Sequence, residues 1–353
     1  MNDSHRDAIA QADSMIRYKR VEEKKLASDS GIALMMVLWV LTLLIVMTFA
    51  FSVTVRTEAL STGTFMEQLE NKYLAEAGFQ RALLEIFHRK ACKSGSVKPA
   101  EADMYSADGR FHQGKIGDGH YQYAIMDESG KISINLLTDT SGILLNNLLV
   151  GLGVEKQQAD AIVDSILDWK DPDDLHRLNG AESDYYQNLP TPYRSKDADF
   201  DTLEELLLVK GVTQDILYGT EDRPGLLPFL TVHSPSRQIN IFSARPELLK
   251  AVPFMTNDMV QAVVRHRDER DGNMNNFGLQ SIMAAGDMAK AASCLTTADS
   301  NVYSIESIGY KKEGAGAYAL NAVVRIEGGD RFRILSYQSP AHAETRKNES
   351  LSR

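Results

Sequence analysis

The stretch GIALMMVLWVLTLLIVMTFAFSVTV, residues 31–55, decides the architecture of this chain because it contains no charged residue. A helix over residues 32–55 would be about 36 Å long at about 1.5 Å per residue, enough to cross a hydrocarbon core of about 30 Å. A core helix of a soluble domain is the alternative, but uninterrupted apolarity of this length is unusual in one. The sequence therefore predicts one membrane span.

The flanks of the span predict its orientation. Lys and Arg collect before it, whereas Arg56 stands nearly alone after it until Lys72. Because the basic flank stays in the cytoplasm, we expect a cytoplasmic N-terminus and an exported remainder. A cleaved secretory signal would end in a small-residue site after the apolar run, and none follows it. The distinctive junction lies before the run, at Gly31 and Ile32.

Beyond the span the pattern predicts an α+β protein with a helical insertion. Apolar residues continue at helical spacing through YLAEAGFQRAL, residues 73–83. Strand-like alternation occurs at residues 119–135 and again at 302–312, 317–327 and 331–338, which glycine turns separate. Between these regions the pattern is mostly helical. The simplest architecture is one head, built from a long helix on a small antiparallel sheet, that a large helical domain interrupts.

The helical region repeats a helix, turn and helix device at residues 148–169, 204–217 and 239–270, with glycine in the first two turns. Helix-hairpin-helix units of this kind can present backbone N–H groups to DNA phosphates. Such a site needs basic flanks, but acidic residues follow the first two hairpins, and the chain carries a formal net charge of −10. We therefore expect packing units and no nucleic acid partner.

The segment DWKDPDDLHRLNGAESDYY, residues 168–186, is the most acidic loop of the insert. Carboxylates this close repel one another unless a cation gathers them, and calcium accepts six to eight oxygens in tolerant geometry. The alternative is a solvated loop in which Asp residues cap helices and supply turns. The candidate ligands are Asp171, Asp173, Asp174, Glu182 and Asp184. A weaker second group comprises Asp199, Asp201, Glu204 and Glu205.

Cys92 and Cys294 would lie in an oxidising compartment and could either pair as a disulfide or remain two thiols. No nucleophile, phosphate-binding or zinc-protease motif occurs in the sequence. We therefore expect no enzymatic activity.

Four features together resemble the minor pseudopilin K family of type II secretion systems. They are the junction, the stalk YLAEAGFQRAL, the pattern D-W-x-D-x-D followed by G-A-E-x-x-Y-Y, and TLEELLLVKGV at residues 202–212. The resemblance implies cleavage between Gly31 and Ile32 by prepilin peptidase, N-methylation of Ile32, and structural calcium in the acidic loop. Most prepilins carry Glu where this chain has Met36, and its absence is typical of the K class. A subunit at the filament tip has no neighbour above it whose amino terminus such a Glu would neutralise.

By the same resemblance, the chain would sit at the pseudopilus tip in the inner membrane and initiate assembly for export of folded proteins. Its partners would be the I and J minor pseudopilins and the major pseudopilin, with the secretin and cargo as further contacts. Two alternatives remain: a minor pilin of a type IV pilus or DNA-uptake system, and a receptor with an uncleaved anchor. The predicted segments are a leader (1–31), an anchor helix (32–55), stalk and head (56–133), insert (134–290), head strands (291–340) and a disordered tail (341–353).

Overall fold

The computed structural model describes residues 4–93, 95, 107–268, 286, 291, 293–312, 316–328 and 331–341; of residues 4–10, 21–30, 93 and 268 it describes the backbone alone. The chain divides into two units, residues 1–67 and 68–353. The predicted tail from residue 342 onward lies outside the described residues.

The first helix, α1, runs without a break over Ser4–Lys93. Every side chain from residue 31 to residue 66 is exposed. Of the described helices, α1 alone is long and apolar enough to cross a membrane. A fully exposed apolar stretch is unfavourable in water but suits lipid. This part of α1 therefore fits a single-pass membrane anchor, as the sequence predicts.

The second part of α1 packs on a sheet through one face. Ala75, Phe79, Ala82, Leu83 and Ile86 are buried there at spacings of three and four residues. That spacing places their side chains on one stripe of the helix. The stalk thus forms one wall of the head core.

The other wall is a five-stranded antiparallel sheet in the order β1-β2-β7-β8-β9. Its strands are Asp108–Ile116, Gly119–Asp127, Val302–Tyr310, Tyr318–Gly328 and Arg331–Gln338. The central strand β7 pairs with β2, about 180 positions earlier in the chain, so residues between them form an insertion. The predicted meander at the C-terminal end is confirmed, and β1 is a strand that the sequence analysis did not predict.

The insert contains six helices among its described residues: α2 to α7, at Gly142–Gly151, Lys156–Lys170, Ser183–Gln187, Gln214–Tyr218, Pro246–Ala251 and Asn257–Asp268. Three short 3-10 helices span Glu128–Gly130, Leu203–Leu208 and Leu227–Phe229. Two parallel strand pairs complete it, β3 with β4 and β5 with β6, at Ile132–Ser133, Leu230–Thr231, Ile239–Asn240 and Leu295–Thr296. The predicted α+β fold with a helical insertion is confirmed.

The predicted hairpin repeats are present with one difference. Gly153 and Gly211 turn the first two hairpins with φ of 88° and 85°, a conformation that other residues adopt at a cost. Phe254 takes the corresponding left-handed conformation in the third hairpin, with φ of 67°. The second hairpin opens with a 3-10 helix where the pattern predicts an α-helix.

The insert is tied at its two ends by a buried carboxylate. Asp127, at the end of β2, accepts hydrogen bonds from the backbone N–H and hydroxyl of both Ser129 and Ser300, at 2.6–2.8 Å. Burial raises the pKa of Asp127, against the lowering by these hydrogen bonds. Ala291 and Leu295, which we expected to begin the head strands, belong instead to the core of the insert.

Candidate functional site

Gly31 and Ile32, the predicted cleavage junction, lie inside the continuous helix α1. A Cβ added at Gly31 would meet no described atom within 4 Å, so the helix itself does not require glycine there. Ile32 and Met36 are 54% and 63% exposed. Cleavage and methylation at this junction stay predictions.

The acidic loop begins where α3 ends, and the end of α3 is anchored by aromatic packing. The Trp169 ring lies edge-on to Tyr186, with centroids 5.1 Å apart, and near Tyr193 and Phe200 at 6.1 Å and 6.5 Å. These rings come from three separate segments of the insert. Each such pair adds about 0.5–1.5 kcal/mol beyond the burial of its rings. The cluster therefore fixes the end of α3 against α4 and against the segment that carries Tyr193 and Phe200.

Arg177 gathers the carboxylates at the start of the loop. Its Nη1 lies 2.7 Å from Asp168 Oδ1 and 2.6 Å from Asp171 Oδ2, and its Nε lies 2.8 Å from Asp139 Oδ1. Although burial opposes it, hydrogen bonds to these three carboxylates raise the pKa of Arg177 above its ordinary value. Asp168 is completely buried, and that burial raises its pKa despite the arginine.

Glu182 is the unusual residue of the site. It is 1% exposed, and neither carboxylate oxygen has a hydrogen-bond partner among the described residues. Burial, followed by the charges of Asp168, Asp171, Asp197 and Asp174, raises its pKa to about 7. Asp171 Oδ1 is likewise buried without a described partner. A buried carboxylate in this position is costly unless a proton or a cation neutralises it.

The structure places the other predicted ligands differently. Asp173 Oδ1 accepts from the backbone N–H of Leu175 at 2.9 Å, which makes a local turn. Asp184 lies 3.0 Å from His176 Nε2 and is 70% exposed. Among the described residues, no three His, Cys, Asp or Glu side chains come close enough together to surround a metal ion. The charges of Asp171 and Asp174 act on Glu182, whereas Asp173 and Asp184 contact other groups.

Two acidic residues near Glu182 were not among the predicted ligands. Asp168 belongs to the D-W pattern, and Asp197 lies in a later segment of the insert. The Asp197 N–H donates to the Trp169 carbonyl at 3.0 Å, and its φ is 53°. That backbone bond brings the segment to the loop, and no local sequence signal points to it.

Glycine is required at Gly180. A Cβ there would lie 1.8 Å from Asp168 Oδ2, so any larger residue would displace the carboxylate. Lys210 Nζ donates to the carbonyls of Asn179 and Gly180 at 3.1 Å and 2.9 Å. These contacts hold the loop closed over Asp168.

The weaker acidic group has structural partners. Lys196 Nζ lies 2.6 Å from Asp201 and 2.8 Å from Glu205. Glu205 also completes a capping box with Thr202 at the start of the 3-10 helix Leu203–Leu208. Asp199 precedes Asp201, and Glu204 lies in the first turn of the same 3-10 helix. The contacts of Glu205 are therefore those of a helix cap.

Cys92 and Cys294 are free thiols in the structure, and both are half-buried. Cys92 Sγ lies 3.7 Å from His88 Nε2, one turn earlier in α1. Of the two states that the sequence leaves open, the structure contains the thiols.

Comparison with known proteins points to one family. Residues 130–234 match the family model described as type II secretion system (T2SS), protein K. A type II secretion system protein K from Pectobacterium carotovorum subsp. carotovorum is 29% identical over 254 residues, which cover 67% of this chain and 75% of that protein. Its counterpart from Klebsiella pneumoniae is 25% identical over 228 residues, 62% of this chain and 67% of that protein.

A solved structure shares the fold. A chain in the crystal structure of the GspK-GspI-GspJ complex from the enterotoxigenic Escherichia coli type 2 secretion system superposes with a TM-score of 0.55 at 17% identity. The match covers 79% of this chain and 99% of that one.

Proposed function

We propose that this chain, whose resemblance to type II secretion system protein K is confirmed in sequence and in fold, is a minor pseudopilin at the tip of the secretion pseudopilus. It would initiate the filament with other minor pseudopilins and so support export of folded proteins across the outer membrane. The role is one of assembly, with no covalent chemistry.

One observation carries the proposal. A single helix, α1, is apolar and exposed over residues 31–55, yet it buries one apolar face against a sheet from Ala75 onward. A helix built in this way can lie in lipid before assembly and pack on neighbouring helices afterwards, since both surroundings accept an apolar surface. By this proposal the anchor lies in the inner membrane, with the N-terminus cytoplasmic and residues 56–353 periplasmic.

Met36 supports the tip position. A Glu at this place in an apolar helix would cost several kcal/mol without a positively charged partner. Met36 needs no such partner, so the chain can take a place with no subunit above it. The large insert, which would crowd stacked subunits, supports the same position.

The proposed direct partners are minor pseudopilins of the I and J classes. The support is the crystal structure that shares this fold, in which GspK forms a complex with GspI and GspJ. The major pseudopilin, the secretin and the cargo would be later contacts in the same assembly, and prepilin peptidase would act before it.

We further propose that the acidic loop holds a structural calcium ion. The support is that Glu182 and Asp171 bury carboxylate oxygens that lack partners among the described residues. The ion would be held by Asp168, Asp171 and Glu182, which its charge would have to draw closer together than they stand in the metal-free chain, with Asp174 and Asp197 adding to the negative surroundings. When bound, calcium would supply the positive charge that lets these carboxylates stay ionised together.

The function is tested by intact mass and N-terminal sequencing of the membrane-extracted protein, produced with and without prepilin peptidase. A mature chain that begins at Ile32 only when the peptidase is present is the expected result. Gly31→Val should block this cleavage, whereas Gly63→Val, at a second exposed helical glycine, should leave it intact. An unprocessed wild-type chain, or one cut after residue 55, would contradict the pseudopilin assignment.

The partner proposal has its own test. The mature chain, extracted in mild detergent with co-expressed I- and J-class proteins, should co-purify with both as one complex. Co-purification that is unchanged after deletion of residues 32–67 would show that the head and insert supply the contact. Failure of the intact chain to bring down either protein would contradict the proposal.

A further inference from the structure

We propose that Arg177 is a built-in competitor for the metal ion, so that its guanidinium and a divalent cation are alternative partners of Asp168 and Asp171. This inference rests on the calcium site proposed above and adds a residue that sets its affinity. Binding of the ion would displace the guanidinium toward Asp139.

The contacts of Arg177 place its charge at the centre of the acidic group. One nitrogen, Nη1, serves both Asp168 Oδ1 and Asp171 Oδ2, at 2.7 Å and 2.6 Å. A single nitrogen shared by two carboxylates stands where a divalent cation would gather them. Glu182, the third buried carboxylate, has no described partner, so one monovalent guanidinium leaves the group short of positive charge.

The guanidinium and the ion exclude each other for electrostatic reasons. Two cations on the same pair of carboxylates repel strongly, because the buried surroundings screen charge poorly. Asp168 is fully buried and Asp171 is mostly so, with 24% of its side chain exposed. The divalent cation would therefore bind only if Arg177 gave up at least part of its contact.

The Arg177 guanidinium has an alternative partner, Asp139, at the protein surface. Its Nε already contacts Asp139 Oδ1 at 2.8 Å, and the Asp139 side chain is 77% exposed. The side chain of Arg177 is itself 26% exposed, so it can turn outward without unpacking the core. Its backbone N–H donates to Asp168 Oδ2 at 3.2 Å, which would keep the loop attached after the guanidinium leaves.

The competition has a functional consequence. Arg177 holds Asp139, Asp168 and Asp171 together before any metal arrives, so the loop is ordered in the metal-free chain. The same contact weakens calcium binding, since antagonism between two ligands is reciprocal. Arg177 thus sets the calcium concentration at which the insert reaches its metal-bound state.

The test is isothermal titration of calcium chloride into the full chain in detergent, comparing wild type with Arg177→Met. We expect Arg177→Met to lower the calcium Kd by about tenfold or more, within the usual range of coupling between competing ligands. Lys156→Met is the matched control, because Lys156 Nζ contacts Asp160 and Asn146 at the start of α3 and makes no described contact with the acidic loop. It should change the Kd by less than about threefold.

Two further variants keep the test decisive if Arg177→Met does not fold. Arg177→Lys replaces the forked guanidinium by one nitrogen, which cannot bridge Asp139 to Asp168 and Asp171. The calcium Kd of this variant should therefore fall between those of wild type and Arg177→Met. Asp139→Asn removes the outer partner of the displaced guanidinium and should weaken calcium binding. Circular dichroism melts identify the folded variants.

Calcium binding to wild type with no tightening in the Arg177 variants would overturn the competition but leave the calcium site standing. Equal tightening in Lys156→Met would also overturn it, because a general change of charge would then explain the effect. Absence of calcium binding in wild type and every variant would overturn the metal site and the competition together.

Discussion

The head and the insert bury charge in different ways. In the head, Arg89 contacts Asp299 at 3.3 Å, and Glu85 Oε2 contacts Arg81 at 3.4 Å, although Glu85 Oε1 is buried without a described partner. In the insert, three carboxylates meet beside one guanidinium, and Glu182 has no described partner. Glu85 and Asp299 of the head therefore each have an arginine beside them, whereas the carboxylates of the acidic loop outnumber the one guanidinium that they share. This difference predicts that calcium acts on the insert alone.

The largest expected effect comes from removing the aromatic cluster beneath the acidic loop. Trp169→Ala should cost about 3–5 kcal/mol of unfolding free energy, the usual range for a buried large aromatic residue. It should also abolish calcium binding, because the loop loses its support. Urea denaturation and calcium titration of the full chain measure both.

Phe79→Ala provides the matched change in the head. Phe79 is 5% exposed and packs edge-on to Tyr337, with centroids 6.3 Å apart. A similar loss of stability is expected with calcium binding unchanged. If both variants lost calcium binding equally, the two cores would not be independent and the comparison would fail.

The next effect is the pH dependence of the metal-free chain. The pKa of Glu182 rises from its ordinary 4.5 to about 7 on folding, so between these pH values the folded state holds a proton that the unfolded state has released. The stability from this group is fully present below about pH 4.5. As pH rises through about 7, the free energy of unfolding falls by roughly 3 kcal/mol in total. Urea denaturation in EGTA between pH 5 and pH 8 measures the loss.

Glu182→Gln isolates this contribution, because Asp127 and Asp168 also titrate. The variant should lose most of the pH slope and be more stable than wild type at pH 8 in EGTA. Saturating calcium should remove the slope from wild type, since the bound ion keeps Glu182 ionised. An identical slope in wild type and Glu182→Gln would show that Glu182 is not the responsible group. In a Trp39→Phe background Trp169 is the one remaining tryptophan, so its fluorescence follows unfolding of the insert in these urea titrations.

The smallest effect is expected at the second acidic group. Lys196→Met removes its ion pairs with Asp201 and Glu205, and exposed pairs of this kind contribute about 1 kcal/mol or less. Calcium stoichiometry and affinity should not change. A second calcium bound by wild type and lost or altered in Lys196→Met would instead mark this group as another metal site.

Much of the fold could be predicted because its signals are local. The alternation in residues 302–338 indicates three strands, and the structure has β7, β8 and β9 there. Gly153 and Gly211 mark the hairpin turns in the same way. The edge strand β1 was missed because DGRFHQGKI is mostly polar and only half-buried, so it lacks the alternation of a buried face.

The site could be predicted only in part. The family resemblance is confirmed, and residues 168–186, singled out by their acidic composition, include the buried Glu182 that lacks a described partner, while calcium there stays a prediction. Composition could not show that Glu182 and Asp171 hold buried oxygens while Asp173 and Asp184 engage nearby groups. Asp197 approaches the loop through one backbone bond to Trp169, across 28 positions of chain.

By itself, the sequence determined the long apolar helix, the stalk, the helical insertion and the family resemblance, because these depend on long apolar runs, periodicity and glycine turns in consecutive residues. The tertiary structure decided which carboxylates are buried, which cation already neutralises them, and that Arg177 reaches Asp139 across 38 positions. Burial and charge pairing join distant segments, and the free energy of an ionised group depends on all the groups around it, so these features arise only when the chain is folded.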